Sequence, residues 1–174
     1  MVGKKNIVLV GFMGSGKSSV GKILGKLLKR PVVDIDRRIE EREKRKISEI
    51  FEKDGEAFFR SLEKEAIRET AAQEGRVITT GGGAVLDPEN VSALKEKGCL
   101  VALSAEPETI LRRVRNSRRR PLLKGDDLLS EIRRLLEIRK PYYELADFHF
   151  ATDGKSALAV ARQIVETLEK SCSQ

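Results

Sequence analysis

Residues 11–18 read Gly11-Phe12-Met13-Gly14-Ser15-Gly16-Lys17-Ser18 and match the pattern G-x-x-x-x-G-K-[ST] at every specified position. An apolar run precedes this stretch at residues 7–10 and predicts a buried strand, and residues 18–28 follow with apolar residues near helical spacing. A glycine-rich loop between a strand and a helix turns its backbone N–H groups inward at the positive end of the helix, where they bind anions. The stretch therefore predicts a site for a nucleoside triphosphate, and a glycine-rich turn with an incidental lysine is the alternative.

Polar side chains suited to phosphate chemistry lie in this loop and after the next strand. In a phosphate loop, Lys17 reaches the outer phosphates and the Ser18 hydroxyl ligates Mg²⁺. Residues 32–36 predict a short strand that ends in Asp34 and Asp36, which face the same side because they are two residues apart. Ligands bind beyond the carboxyl ends of parallel strands, so we expect at least one of these acids near the magnesium ion. A turn with a helix cap at Asp36 is the alternative.

A third strand is predicted at residues 77–80 and runs into Gly81-Gly82-Gly83. Many phosphate-loop enzymes end this type of strand with an aspartate that holds the metal, whereas this chain has threonine followed by three glycines. The metal carboxylate is therefore expected from elsewhere, which favours Asp34. The triple glycine is either a flexible turn or a place where the backbone approaches a ligand closely.

Length and composition fit one domain, since a chain of 174 residues with 40% hydrophobic and 35% charged residues can bury a core. No apolar run approaches the ~20 residues of a membrane span, and no signal-peptide pattern follows the first residues, so we expect a cytoplasmic enzyme with no membrane partner. Cys99 and Cys172 form no disulfide framework or metal-ligand cluster. His149 is the one histidine of the chain, and we expect it to be structural.

The net charge of +7 suits anionic ligands but does not distinguish a nucleic acid from a nucleotide. Six arginines lie within residues 112–120, yet aromatic residues form 5% of the chain and do not interleave with them, so stacking on single strands is poorly supported. The segment has weak periodicity, a proline and a glycine, which predicts a mobile lid at roughly 112–125 that closes over the triphosphate. A solvated loop or a nucleic-acid patch is the alternative.

Strands alternate with helices along the whole chain, which predicts a three-layer α/β/α sandwich around a parallel sheet. Residues 47–53 and 56–73 predict two helices. Arg60, in the second of them, either emerges from an apolar wall into a cleft or pairs with nearby glutamates. Residues 127–145 predict a long amphipathic helix with Arg139 toward its end, and a fifth strand follows.

In its motifs the chain resembles the shikimate kinase family over nearly its whole length. The motifs follow the family's order, and they are Val33-Asp34-Ile35-Asp36, Ile47-Ser48-Glu49-Ile50-Phe51, Gly55-Glu56-Ala57-Phe58-Phe59-Arg60-Ser61-Leu62-Glu63, Thr80-Gly81-Gly82-Gly83, Arg120-Pro121-Leu122-Leu123 and Arg139-Lys140-Pro141-Tyr142-Tyr143. The resemblance implies a five-stranded parallel sheet in the order 2-3-1-4-5, a single domain over residues 1–174 and substrate-binding helices at roughly 36–62. It weakens at residues 153–156, where the family's adenine loop often carries arginine, so adenine contacts there stay open.

The resemblance also implies an activity, the ATP- and Mg²⁺-dependent phosphorylation of the 3-hydroxyl of shikimate, which is a step of chorismate and aromatic amino acid biosynthesis. It implies Ser18 and Asp34 at the metal, and Lys17, Asp36 and Arg120 in catalysis. The implied ATP-binding residues are Gly14, Ser15, Gly16, Lys17, Ser18, Ser19, Arg113 and Arg120. The implied shikimate-binding residues are Asp36, Arg60, Gly81, Gly82, Gly83 and Arg139. We expect a monomer that binds these two small molecules and no nucleic acid.

The chemistry of these residues agrees with shikimate, which offers one carboxylate and three hydroxyls. Arg60 and Arg139 supply guanidinium forks for the carboxylate, and Asp36 supplies an acceptor that orients or deprotonates the attacking hydroxyl. One rival is a gluconate or nucleotide kinase on the same architecture, although a nucleotide acceptor would ask for more aromatic or amide contacts. The other is a nucleic-acid-binding ATPase, which the basic composition suits and the low aromatic content opposes.

Overall fold

A parallel sheet of five strands in the order β2-β3-β1-β4-β5 forms the centre of the structure. The structure is a computed structural model, and it describes residues 3–115 and 127–171. In chain order its elements are β1 (Asn6–Val10), α1 (Lys17–Leu28), β2 (Val32–Asp34), α2 (Ile35–Glu43), α3 (Ile47–Lys53), α4 (Gly55–Ala71), β3 (Val77–Thr79), a 3₁₀ helix (Ala84–Leu86), α5 (Pro88–Glu96), β4 (Gly98–Ser104), α6 (Pro107–Val114), α7 (Leu128–Tyr143), β5 (Phe148–Ala151) and α8 (Ala157–Ser171). The predicted strand order is confirmed.

β1 is the central strand and is buried along its full length, as expected where helices cover both faces of a parallel sheet. Its side chains alternate between two cores. Val8 and Val10 pack with α2 to α5 on one face, and Ile7 and Leu9 pack with α1 and α8 on the other. The predicted three-layer sandwich is therefore confirmed.

A third apolar cluster joins the phosphate loop to the helices that follow β4. Phe12 packs there with Ile110 of α6 and Ile132 of α7, and all three side chains are buried. Because α7 is held against the loop by this cluster, residues near its C-terminal end lie close to the carboxyl end of β1. The cluster thus sets the position of Arg139, which is 6% exposed.

The strand predicted for residues 32–36 is wrong beyond Asp34. β2 ends at Asp34 and α2 begins at Ile35, so Asp36 lies in the first turn of a helix and does not share a strand face with Asp34. The physical reason is a helix cap: Asp34 keeps extended backbone angles, and its Oδ1 accepts a hydrogen bond from the Arg37 N–H at 3.0 Å. The cap considered for Asp36 is therefore made by Asp34 instead.

Other helices begin and end close to their predicted bounds. α3 spans the predicted residues 47–53, α4 spans Gly55–Ala71 and α7 spans Leu128–Tyr143. Residues 112–114 belong to α6 and not to the predicted loop. Residues 116–125 of the predicted lid, with Arg120, lie outside the described residues, and so does Cys172. Within the two described ranges, no helix has both the length and the apolarity needed to cross a membrane.

Candidate active site

The phosphate loop is shaped by left-handed glycines and holds the Lys17 side chain. Gly16 caps α1 with φ of 100°, a conformation that any other L-residue adopts only under strain. The Lys17 ammonium donates to the carbonyls of Gly11 at 2.7 Å and Phe12 at 2.9 Å. Because α1 begins at Lys17, the loop lies at the positive end of a helix. This arrangement suits a phosphate anion.

Three polar side chains meet where α1, β2 and β3 converge. Asp34 Oδ2 accepts from the Thr79 hydroxyl at 2.8 Å and from the Ser18 hydroxyl at 3.4 Å. Among the described residues, no group of three or more His, Cys, Asp or Glu could hold a metal ion. Mg²⁺ in phosphoryl-transfer sites takes one or two protein oxygens and completes its shell with phosphate and water. Ser18 and Asp34, two hard oxygen donors beside the loop, fit that chemistry.

Two carboxylates face the first glycine of the triple-glycine segment. A Cβ atom added to Gly81 would lie 2.9 Å from Asp36 Oδ1 and 3.0 Å from Glu63 Oε1. Both of these oxygens are buried without a hydrogen-bond partner. Burial, together with the negative charges of Glu63 and Asp34, raises the pKa of Asp36 to about 7 against the opposing charges of Lys17 and Arg60. The site therefore contains two buried carboxylate oxygens that need hydrogen-bond donors.

The Arg60 guanidinium lies beside Gly83, the third glycine of the segment. Arg60 Nη1 donates to Glu63 Oε2 at 2.7 Å, and Arg60 Nη2 donates to Glu56 Oε1 at 3.0 Å. An added Cβ on Gly83 would lie 2.6 Å from Arg60 Nη2. Arg60 thus does both things that the sequence left open, since it pairs with glutamates and also lines the cleft.

Arg139 lies beside Gly82, the middle glycine of the same segment. Its guanidinium carbon lies 5.4 Å from the centroid of the Phe12 ring, and its Nη1 is buried without a hydrogen-bond partner. An added Cβ on Gly82 would lie 3.4 Å from that Nη1. The Tyr143 hydroxyl donates to the Gly82 carbonyl at 2.7 Å and so anchors the segment. The glycines leave room for both arginines.

Arg113 of α6 contacts both the phosphate loop and Thr152, the residue that follows β5. Its Nη1 donates to the Gly14 carbonyl at 3.0 Å and to the Thr152 hydroxyl at 3.0 Å, and its Nη2 donates to the Thr152 carbonyl at 3.2 Å. The Asp153 carboxylate accepts from the Glu106 N–H at 3.0 Å, which is a structural contact. Arg113 therefore joins the loop to the region where the sequence left adenine contacts open.

One open cleft of about 1800 Å³ brings these groups together. Its lining includes all of the predicted site residues that the structure describes: Gly14, Ser15, Gly16, Lys17, Ser18, Ser19, Asp34, Asp36, Arg60, Gly81, Gly82, Gly83, Arg113 and Arg139. Arg120 lies outside the described residues. The phosphate loop and the two arginines beside the triple glycine thus share one cavity.

Sequence reasoning missed three residues that the site uses. Glu63 orients Arg60, Thr79 bonds Asp34, and Tyr143 bonds Gly82. Glu63 could have been found, because a residue three positions after Arg60 lies on the same helix face. Thr79 precedes Thr80, the residue that stands where many phosphate-loop enzymes have the metal aspartate, and no local pattern singles it out. No local pattern identifies Tyr143, whose partner is 61 residues away in sequence.

On a 2-3-1-4-5 sheet, a phosphate loop next to the Ser18–Asp34 pair and a cleft lined by arginines and a triple glycine define a small-molecule kinase of the phosphate-loop class. Comparison with known proteins identifies the family within this class. The family model described as shikimate kinase matches residues 13–169. The chain belongs to the shikimate kinase family.

Individual relatives agree along nearly the full chain. The shikimate kinase of Moorella thermoacetica is 48% identical over 164 residues, which cover 94% of this chain and 94% of that protein. The shikimate kinase of Pelotomaculum thermopropionicum is 45% identical over 166 residues, which cover 95% of this chain and 96% of that protein. A solved shikimate kinase from Acinetobacter baumannii in complex with shikimate is 37% identical with a TM-score of 0.93, and the match covers 97% of this chain and 94% of that one.

Proposed function

We propose that this cleft binds ATP at the phosphate loop and shikimate between Asp36, Arg60 and Arg139, and transfers the γ-phosphoryl group to the 3-hydroxyl of shikimate. The chain is an ATP- and Mg²⁺-dependent shikimate kinase by family, and its reaction is a step of aromatic amino acid biosynthesis. The observation that carries the assignment of residues is Asp36 Oδ1, a buried oxygen without a hydrogen-bond partner in the same cleft as Lys17. A buried acceptor needs a donor, and a substrate hydroxyl supplies one.

The two arginines are proposed to hold the shikimate carboxylate. Arg139 is buried with its guanidinium over the Phe12 ring, and its Nη1, which has no hydrogen-bond partner, offers a donor. Arg60 is oriented by Glu56 and Glu63, so its fork is preorganised as well. Planar guanidinium groups match a carboxylate in two parallel hydrogen bonds, which supports a carboxylated acceptor over a neutral sugar.

The nucleotide is proposed to lie along the loop with its adenine toward Arg113. The loop residues from Gly14 to Ser19 offer N–H groups and hydroxyls to the phosphates, and Lys17 adds a positive charge within the loop. Mg²⁺, when bound with ATP, neutralises charge on the phosphate oxygens, and Ser18 and Asp34 would hold it. Arg120 is proposed to contact ATP on the basis of the sequence alone.

Transfer of the γ-phosphoryl group requires that the two substrates be aligned and that a proton acceptor lie near the hydroxyl. The 3-hydroxyl oxygen forms a bond to the γ-phosphorus, the bond from the γ-phosphorus to the bridging oxygen of ADP breaks, and the hydroxyl proton passes to Asp36. With a pKa raised to about 7, the Asp36 carboxylate is suited to accept that proton near neutral pH. Lys17 stabilises the negative charge that develops on the phosphates.

A coupled assay across acceptors tests the proposal. With ATP and Mg²⁺, shikimate should be phosphorylated, whereas gluconate and nucleoside monophosphates should give rates at the level of the acceptor-free control. Phosphorus NMR of the product should show a single phosphate monoester on shikimate. A gluconate rate equal to the shikimate rate would overturn the assignment of the acceptor pocket.

We also propose that the protein works as a monomer in the cytoplasm. The residues assigned to both substrates all belong to one chain, which supports a monomer, and the use of ATP supports a cytoplasmic site of action. Light scattering after size-exclusion chromatography tests the first statement, because a dimer would double the mass of 19.5 kDa. Cell fractionation followed by activity measurement tests the second.

A further inference from the structure

The Asp34 carboxylate is fixed at both of its oxygens. Oδ1 accepts from the Arg37 N–H at 3.0 Å as the cap of α2. Oδ2 accepts from the Thr79 hydroxyl at 2.8 Å, and the Ser18 hydroxyl lies 3.4 Å from the same oxygen. The Thr79 bond is therefore the shorter of the two side-chain contacts at the oxygen that faces Ser18.

Thr79 is held in place by its own surroundings. It is 2% exposed, and in the parallel ladder it lies opposite Asp34 on β2 and Leu9 on β1. Its neighbour Thr80 donates to the Leu9 carbonyl at 3.2 Å and not to Asp34. Two adjacent threonines thus have separate partners, and only the first contacts the carboxylate.

Gly21 in α1 leaves the space that Thr79 fills. An added Cβ on Gly21 would lie 2.6 Å from Thr79 Cγ2, while the φ of Gly21 is not in the left-handed region. Backbone conformation therefore does not require glycine here, although glycine inside a helix is unfavourable. Glycine is required at position 21 because the Thr79 methyl group lies where a Cβ atom would be. When the methyl group of a threonine is confined, one χ1 rotamer remains, and that rotamer fixes the direction of the hydroxyl.

We propose that Gly21 and Thr79 form a positioning pair for the proposed metal site at Ser18 and Asp34. Gly21 leaves room for the Thr79 methyl group, and the Thr79 hydroxyl then holds Asp34 Oδ2 toward Ser18. This inference rests on the proposed metal site at Ser18 and Asp34. Thr79 is a positioning residue, since it acts through Asp34. Groups that orient a metal-binding carboxylate contribute to affinity even when they do not touch the metal.

The first experiment separates the hydroxyl from the methyl group. Thr79→Val keeps the shape and removes the donor, whereas Thr79→Ser keeps the donor and removes the methyl group. Mn²⁺ binding to the enzyme–ATP complex, followed by electron paramagnetic resonance, should weaken about tenfold in Thr79→Val. Thr79→Ser should weaken binding less than Thr79→Val does, because it keeps the hydroxyl donor and loses only the methyl group that confines its direction. ATP binding without metal should be the same in both variants.

A matched control comes from the neighbouring threonine. Thr80→Val makes the same change at a buried hydroxyl that bonds a backbone carbonyl, so it should lower stability without changing Mn²⁺ affinity. If Thr79→Val binds Mn²⁺ as tightly as Thr80→Val does, the positioning role is overturned. Equal weakening in Thr79→Val and Thr79→Ser would overturn it too, because packing and not the hydroxyl would then be responsible.

The second experiment tests the partnership with Gly21. Gly21→Ala should weaken Mn²⁺ binding by displacing Thr79, and Gly21→Ala combined with Thr79→Ser should recover it to the level of Thr79→Ser alone, because the overlapping methyl group is gone. Absence of recovery in a folded double variant would contradict the pairing. Asp34→Asn separates failure of the metal site from failure of the positioning pair. Unchanged Mn²⁺ binding in Asp34→Asn would overturn the metal site itself. Weakened binding in Asp34→Asn with normal binding in Thr79→Val would overturn only the positioning pair.

Discussion

Asp36 and Glu63 each direct one buried carboxylate oxygen at the space beside Gly81. A Cβ atom at Gly81 would lie 2.9 Å from the first oxygen and 3.0 Å from the second, and neither oxygen has a hydrogen-bond partner. The two acids come from different helices, α2 and α4, and both oxygens lie beside this one glycine. The absent side chain at Gly81 leaves open the space where the proposed function places shikimate.

Gly81→Ala should damage acceptor binding and spare the nucleotide. The added methyl group would press on both carboxylates, so we expect the KM for shikimate to rise at least about tenfold, which corresponds to ~1.4 kcal/mol of lost binding. The KM for ATP should change little, because the loop at residues 11–18 is untouched. Steady-state kinetics with each substrate varied in turn checks this, and an unchanged shikimate KM in a folded variant would argue against it.

Arg60→Lys and Arg139→Lys should each raise the shikimate KM more than the ATP KM. A lysine ammonium keeps the charge but cannot form two parallel bonds to a carboxylate, and at Arg139 it also loses the contact of the guanidinium with the Phe12 ring. Arg113→Lys is the matched control, because Arg113 contacts the loop and Thr152 and should affect the ATP KM instead. The same change in both KM values for all three variants would remove the distinction between the two halves of the cleft.

The raised pKa of Asp36 predicts a pH dependence of stability in the chain without metal or nucleotide. Folding shifts this pKa from 3.8 to about 7, so the folded state binds the proton more tightly than the unfolded state does. The resulting stabilisation is complete below pH 3.8 and is lost as the pH rises to about 7. Burial also raises the pKa of Glu63, so its contribution has the same sign.

Urea denaturation in chelator between pH 4.5 and 8 measures this dependence. The free energy of unfolding of the unaltered chain should contain a term that decreases with pH, and Asp36→Asn should make that decrease smaller while Glu63 maintains part of it. Equal pH dependence in Asp36→Asn and the unaltered chain would show that the Asp36 pKa is not raised by folding.

Much of the fold followed from local sequence patterns. The loop at residues 11–18 is a contiguous motif, and the alternation of strands with helices specified a parallel sandwich. The error at Asp36 arose because alternation along β2 could not show where extended structure stops. That point is set by one hydrogen bond from the Arg37 N–H to Asp34, and sequence offered two acids that could make it.

The site was predictable where chemistry lies in a motif and unpredictable where it depends on contacts across the sheet. Lys17 and Ser18 belong to the loop, and Asp36 and Arg139 came from resemblance to a family. Thr79 became visible only when β3 was placed beside β2, because its bond to Asp34 spans 45 residues. Local periodicity contains no information about such a pairing.

We propose that Asp34 serves the metal and Asp36 serves the acceptor hydroxyl, although the two lie two residues apart. Magnesium titrations of Asp34→Asn and Asp36→Asn at saturating ATP and shikimate test it most directly. Asp34→Asn should need more Mg²⁺ for half activity and should be partly rescued by excess metal, since it loses the charge that a hard cation prefers. Asp36→Asn should lose at least about 10²-fold in kcat with no rescue by metal, since it cannot accept the hydroxyl proton. Rescue of Asp36→Asn but not of Asp34→Asn would contradict the account and exchange the two roles.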